Sequence, residues 1–151
     1  MTSPLRNGDL RFWLARLAVG AVFAVNVHSA VAFLAYPGRY APGFELTGVA
    51  GEAAVRGLGV AFLMWNATYP LVIWDPRRYR TVFGIVLAQQ LIGLVGESWI
   101  RATLPAGHAT LAAGIERFIL FDAAGLLVML ATFIALGDDS GQADADTLKG
   151  R

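Results

Sequence analysis

Four long apolar stretches constrain this chain more than any other feature. About 20 mostly apolar residues are needed to cross the hydrocarbon core of a bilayer, and four segments meet this requirement, at roughly 12–36, 52–74, 81–104 and 115–136. Only 15% of the 151 residues are charged, whereas a soluble domain carries about a quarter. We therefore predict an all-α integral membrane four-helix bundle over residues 1–137. Residues 138–151 are polar and rich in aspartate, and we predict that this acidic tail is disordered.

The positions of arginine and lysine predict how these helices are oriented. Basic residues gather before the first stretch, between the second and third, and at the C-terminus, while the two other loops carry very few. Because cytoplasmic loops carry an excess of Lys and Arg, we expect both termini and the middle loop in the cytoplasm and a multi-pass protein integral to the cytoplasmic (inner) membrane. A cleaved signal peptide is a competing interpretation of the first stretch, but the apolar run continues past its small-residue site at 29–32 to Tyr36.

One charged spacing occurs twice, as GEAAVR at 51–56 and GESWIR at 96–101. The second and third helices are expected to run antiparallel, so reflecting one onto the other about their loop brings the two copies to one depth in reversed order. This predicts intramembrane salt bridges between Arg56 and Glu97 and between Glu52 and Arg101. Each copy can also close on itself, since residues at i and i+4 share a helix face.

Other ionisable residues are expected at a similar depth, in the outer half of the bundle. Asp122 is the deepest of them, and no partner is evident within one turn of its own helix. The predicted polar cluster comprises His28, Glu52, Arg56, Glu97, Arg101, Glu116, Arg117 and Asp122. Uncharged polar side chains predict a second contact between helices, deeper in the bundle, from Asn66, Gln89 and Gln90. Three interpretations of the charged cluster remain open: a structural clamp, a binding site and a proton relay.

Several chemistries are disfavoured by what the sequence lacks. There is no cysteine, which excludes disulfides, iron–sulfur clusters and cysteine-bound zinc. Only one histidine lies in a predicted span, whereas four-helix haem proteins usually use paired histidines. No phosphate loop, HExxH motif or serine elbow is present. The sequence thus predicts no metal site and names no cofactor, and a net charge of +1 without a basic patch argues against nucleic acid.

Short motifs in the first two helices resemble those of a known family. The first helix has the pattern RxxxGxxF at residues 16–23, and the second opens with Gly51-Glu52, followed by GLG at 57–59. Over roughly residues 1–65 the chain resembles the DoxX-like group of small four-helix bacterial membrane proteins, although Val27 and Ala30 stand where a glycine and a lysine are expected. The resemblance implies a bundle often associated with membrane redox or quinone-linked systems. Four positions of this chain match the family's motifs, and the match does not show that any of them is catalytic. They are Arg16, Gly20, Phe23 and Glu52.

Two classes of function fit these features. The first is a non-enzymatic membrane protein whose polar cluster, in the outer leaflet, binds a small amphipathic ligand or docks a partner subunit. The alternative is a membrane enzyme or redox-complex subunit that acts on a quinone or isoprenoid-like substrate, with Glu97, Asp122 and His28 as acid–base groups. A transporter is a third possibility and would require an oligomer. The expected partners are the lipid bilayer and either a lipid-soluble small molecule or another membrane subunit.

Overall fold

The computed structural model describes the backbone of residues 7–149 and the side chains of residues 8–137. In this part of the chain a 3₁₀ turn at Ala41–Phe44 follows the second of six α-helices, and another at Asn66–Thr68 joins the third to the fourth. The helices are α1 (Asn7–Ala35), α2 (Pro37–Tyr40), α3 (Gly48–Trp65), α4 (Tyr69–Trp74), α5 (Arg80–Thr103) and α6 (Ala109–Lys149). The all-α prediction is confirmed.

Four helical segments are long and apolar enough to cross a membrane: Gly8–Ala35, Gly48–Trp74, Arg80–Thr103 and Ala109–Gly137. They coincide with the four predicted stretches and suggest a multi-pass membrane protein. Large apolar side chains point outward along them, and this is the surface expected where lipid takes the place of water. The backbone of α6 continues to Lys149. Side chains of the acidic tail, residues 138–151, lie outside the described residues, so disorder there stays a prediction.

The order in which the helices pack differs from their order in the chain. α1 packs against α3, α4 and α6, and α5 packs against α6 and α4. α3 and α5 make at most marginal contact, and a 3₁₀ turn interrupts the second span before α4. Pro70 at the start of α4 lacks the N–H that a continuous helix would need there. Consecutive spans thus meet near the α4–α5 connection and separate towards the end of the molecule that holds α2, here called the α2 end.

Two apolar cores lie at different levels of the molecule. The larger is near the chain termini and includes Val19, Tyr69 and Phe83, all fully buried. The smaller is at the α2 end and centres on Phe33 and Val55. A polar layer separates the two cores, and the candidate site lies there.

Polar contacts secure the connection between α4 and α5. Arg16 on α1 donates from Nε to the carbonyl oxygen of Ile73 at 2.7 Å, and its guanidinium lies 4.4 Å from the ring centroid of Trp13. Asp75 Oδ1 accepts the backbone N–H groups of Arg77 and Arg78, each at 3.0 Å. The carbonyl at the end of α4 and the amides of the turn thereby gain partners that the helices themselves do not supply.

A carboxylate links the loops at the α2 end. Glu45 has a left-handed backbone, with φ 56°, and its side chain contacts His108 Nδ1 and accepts the backbone N–H of Leu111 at 3.2 Å. The hydrogen bond with His108, followed by that from Leu111, lowers the pKa of Glu45 below its usual range. Because Leu111 lies in the first turn of α6, Glu45 satisfies one of the free N–H groups of that helix.

Candidate functional site

Gln90 is the centre of the polar layer and is 2% exposed. Tyr69 donates its hydroxyl to Gln90 Oε1 at 3.2 Å, and Gln90 Nε2 donates to Asp122 Oδ1 at 2.7 Å. These two bonds join α4, α5 and α6. A Cβ atom at Gly93 would lie only 2.7 Å from Asp122 Oδ2, so the glycine makes room for the carboxyl group against α5.

A second set of amides lies beside this centre. Asn26 Nδ2 on α1 donates to Asn66 Oδ1 at 3.2 Å, and Asn66 Nδ2 donates to the carbonyl of Phe62 at 2.8 Å. Thr68 donates to Gln89 Oε1 at 3.1 Å. The amides predicted to join helices do so, but Asn66 bonds to α1 and the glutamines bond to the segment that follows Asn66. None of the bonds found among the described residues joins Asn66 directly to Gln89 or Gln90.

A cavity of about 430 Å³ lies between α1, α3, α5 and α6, on the side where α3 and α5 are apart. Its lining is mostly apolar and includes the aromatic residues Phe62, Trp65, Phe118 and Phe121. At the level of the polar layer it is lined by Asn26, Asn66, Gln89, Gln90 and Asp122. A second cavity of about 440 Å³ continues towards the α2 end, where Tyr40 and Phe44 line it. The two cavities have four lining residues in common: Ser29, Glu97, Arg117 and Phe118.

Three charged side chains line the first cavity: Glu97, Arg117 and Asp122. Glu97 and Arg117 are at its junction with the second cavity, and Asp122 is at the polar layer. Within residues 8–137 none of the three takes part in an ion pair of 4 Å or less. Within residues 8–137 there is also no group of three or more His, Cys, Asp or Glu side chains that could hold a metal ion.

The predicted salt bridges between the two repeated motifs are wrong. Arg56 Nη2 pairs with Glu52 Oε2 on its own helix at 3.6 Å, and Arg101 Nε pairs with Glu116 Oε1 on α6 at 2.8 Å. The loop reflection assumed that α3 faces α5, but α5 packs against α6 and α3 against α1. All four side chains are between 42% and 56% exposed.

The structure brings together three of the eight residues of the predicted cluster. Glu97, Arg117 and Asp122 share the cavity, while the two salt-bridged pairs are not among its lining residues. His28 is exposed and does not line either cavity. His28 lies on the same face of α1 as residues 21 and 24, and all three are exposed.

Asn26, Ser29, Trp65 and Tyr69 were missed by the sequence analysis. The first two belong to a stripe at residues 22, 26, 29 and 33, whose spacings of four, three and four residues mark one helix face. This signal was available, because the stripe holds two of the three polar residues in the second half of α1. Tyr69 had no comparable signal, since it lies beyond the break in the second span.

The positions carried over from the family resemblance are in structural rather than reactive surroundings. Phe23 stacks on Tyr69 with ring centroids 6.1 Å apart, and Gly20 has open space where a Cβ atom would project. Glu52 lies against Gly38, at 3.2 Å from an ideal Cβ there. No protein-family model matches this chain, and no curated protein or solved structure matches it either, so the DoxX-like resemblance stays a prediction.

Proposed function

We propose that this protein is a non-enzymatic membrane protein that binds a small amphipathic, lipid-soluble molecule in the cavity between α1, α3, α5 and α6. The observation that carries the proposal is the lining of this cavity, which is apolar and aromatic except for hydrogen-bonding groups concentrated at one level. Ligand sites typically combine apolar walls with a few polar groups that orient the ligand.

Entry from the bilayer is part of this proposal. α3 and α5 pack against different neighbours, and the cavity lies between them, so an opening between these two helices would lead to the lipid. We further propose that both termini are in the cytoplasm of a bacterium and that the protein resides in the inner membrane. Arg77, Arg78 and Arg80 in and after the α4–α5 turn support this orientation, because basic loops favour the cytoplasmic side. The second cavity would then lead towards the outer face.

The main alternative is an enzyme or redox-complex subunit acting on a quinone or isoprenoid-like substrate. Two carboxyl groups in a mostly apolar cavity favour it, since Glu97 and Asp122 are positioned to exchange protons with a bound molecule. His28 is no longer a candidate acid–base group in this alternative, because it does not line the cavity. Association with a DoxX-like redox system would agree with this alternative, and docking of a partner subunit remains a further proposal.

Binding in this cavity can be tested by substituting one serine that lines it and, as a control, one serine that does not. Ser29 lines both cavities, whereas Ser98 on α5 is exposed and lines neither. The wild-type protein and the variants Ser29→Leu and Ser98→Leu would be purified from membranes and examined by native mass spectrometry. We expect wild type and Ser98→Leu to retain a bound lipid-soluble molecule and Ser29→Leu to lose it. Equal retention by all three proteins, with the helices intact by circular dichroism, would contradict binding in this cavity.

The same purified proteins separate binding from catalysis. The molecule recovered from wild type would be incubated with fresh protein and analysed for a change in mass. No change is expected of a binding protein. Conversion that is lost in Asp122→Asn and in Glu97→Gln would instead favour the enzyme, because both variants keep the size of the side chain while removing its acid–base function.

A further inference from the structure

The charged groups of the cavity specify the charge of a ligand as well as its polarity. The lining contains two carboxyl groups, Glu97 and Asp122, and one guanidinium, Arg117. Glu97 and Arg117 both line the junction of the two cavities, but they form no ion pair of 4 Å or less with each other. Asp122 lies against Gly93, one helical turn from Glu97 on α5, with Gln90 as its hydrogen-bond partner among the described residues. The level of the polar layer is therefore acidic.

Aromatic rings line the same space. Phe62 and Phe118 approach edge to face, with centroids 6.2 Å apart and ring planes at 89°. Trp65 and Phe121 also line the cavity, next to Asn66 and Asp122 in the chain. Aromatic rings attract organic cations through their negative faces, and the attraction strengthens where water is excluded. Four aromatic rings and a carboxylate thus provide both parts of a site for an organic cation.

We infer that the ligand of this cavity is a hydrophobic organic cation, an amine or quaternary ammonium that carries apolar substituents. The inference rests on the proposed function and names the chemical class of its ligand. A neutral ligand would leave Asp122 without a counter-charge in a poorly hydrated space, where the ionised carboxylate is disfavoured and the group binds a proton instead. An anion would add a further negative charge beside it. A cation compensates this charge, and its apolar groups contact the aromatic walls.

Phenyltrimethylammonium and tert-butylbenzene test this inference as a pair. They have the same shape and differ in a single atom, a positively charged nitrogen in place of a neutral carbon. Thermal unfolding of the purified protein would be followed at increasing concentrations of each, since a ligand that binds the folded state raises the unfolding temperature. The shift in unfolding temperature measured for Ser29→Leu is subtracted from that of wild type, which removes any effect of the compound that comes from its partition into detergent. We expect the cation to bind wild type at least tenfold more tightly than the neutral compound.

Two substitutions should change this preference in opposite directions. Asp122→Asn keeps the size of the side chain but removes its charge, and we expect it to weaken binding of the cation about tenfold. Arg117→Gln removes a positive charge from the cavity and should strengthen binding of the cation several-fold. Arg117 is exposed and has no ion pair within residues 8–137, so this variant should fold even if Asp122→Asn does not. Neither substitution should alter the affinity for tert-butylbenzene.

The outcomes separate this inference from the proposed function. Equal affinity for both compounds, or an unchanged or weakened response to the cation in Arg117→Gln, would overturn the inference while leaving a cavity that binds lipid-soluble molecules. If neither compound stabilises wild type more than Ser29→Leu, the inference fails. If, in addition, no molecule copurifies with wild type, the proposed function fails with it.

Discussion

Gly59 offers the sharpest test of how α1 and α3 form one wall of the cavity. An ideal Cβ atom at this position would lie 2.8 Å from the carbonyl oxygen of Ala30 and 3.0 Å from Leu34 Cγ. Leu34 can change its side-chain conformation, but the Ala30 carbonyl belongs to the backbone of α1. Ordinary contact begins near 3.4 Å, so Gly59→Ala must move the two helices apart locally by roughly 0.6 Å. Small residues permit this kind of close approach between membrane helices.

The expected cost follows from the same geometry. Inserting a methyl group into a closely packed contact typically costs about 1–3 kcal/mol, and alanine recovers roughly 0.5–1 kcal/mol through its better helix propensity. We therefore expect Gly59→Ala to lower the free energy of unfolding by about 1–2 kcal/mol, or the unfolding temperature by about 2–8 °C for a protein of this size.

Gly57 supplies the matched control. It lies two residues earlier on the same helix, and a Cβ atom there would have no neighbour within 4 Å. Gly57→Ala gains the helix propensity without the contact, so it should leave stability unchanged or raise it by up to about 1 kcal/mol. Unfolding of the three purified proteins in mild detergent, followed by circular dichroism, measures the difference. If Gly59→Ala proves as stable as Gly57→Ala, the close packing of α1 on α3 described above is wrong.

Three further predictions concern polar groups. Gln90→Leu leaves the carboxyl group of Asp122 without its hydrogen-bond donor, so unfolding measurements should show a loss of about 2–4 kcal/mol; a neutral result would mean that the polar layer contributes little to stability. Removing the salt bridge on the surface, by Arg101→Gln or Glu116→Gln, should cost no more than about 1 kcal/mol, and a larger loss in the same assay would restore the interpretation of these charges as a clamp. Hydrogen bonds lower the pKa of the Glu45 carboxyl group in the folded protein. The ionised carboxylate therefore stabilises the fold at pH values above the pKa that Glu45 has in the unfolded chain. This stabilisation is lost as the pH falls through the lower pKa of the folded state. Unfolding temperatures measured from neutral to acidic pH should therefore fall less steeply for Glu45→Gln than for wild type, and parallel curves would contradict this link.

The membrane spans could be predicted from the sequence because the cause is local. Length and apolar composition decide whether a segment can cross a bilayer, and the helices Gly8–Ala35 and Arg80–Thr103 differ little from the predicted boundaries. The depth of Glu97 relative to Asp122 could also be estimated from the sequence, since the rise per residue along each helix is constant. Both residues line the cavity, Asp122 against Gly93 and Glu97 one helical turn further along α5.

The partners across helices could not be predicted in the same way, whereas the pair of Glu52 and Arg56 is the closure within one copy that the spacing allowed. A reflection about a loop compares levels along the helix axis, but it contains no information about which helices are lateral neighbours. His28 shows the same limit, since its depth along α1 could be counted but the face of α1 that turns inward could not.

The sequence by itself determined four apolar helices, their approximate ends and the level of their polar residues, because each of these depends on the residues of one segment. Only the tertiary structure decided that Arg56 and Arg101 pair elsewhere and that Glu97, Arg117 and Asp122 enclose a shared cavity. The physical reason is packing between segments distant in the chain. The break at Asn66 and the close approach at Gly59 commit α3 to α1, and this leaves between α3 and α5 the space in which we propose that a ligand binds.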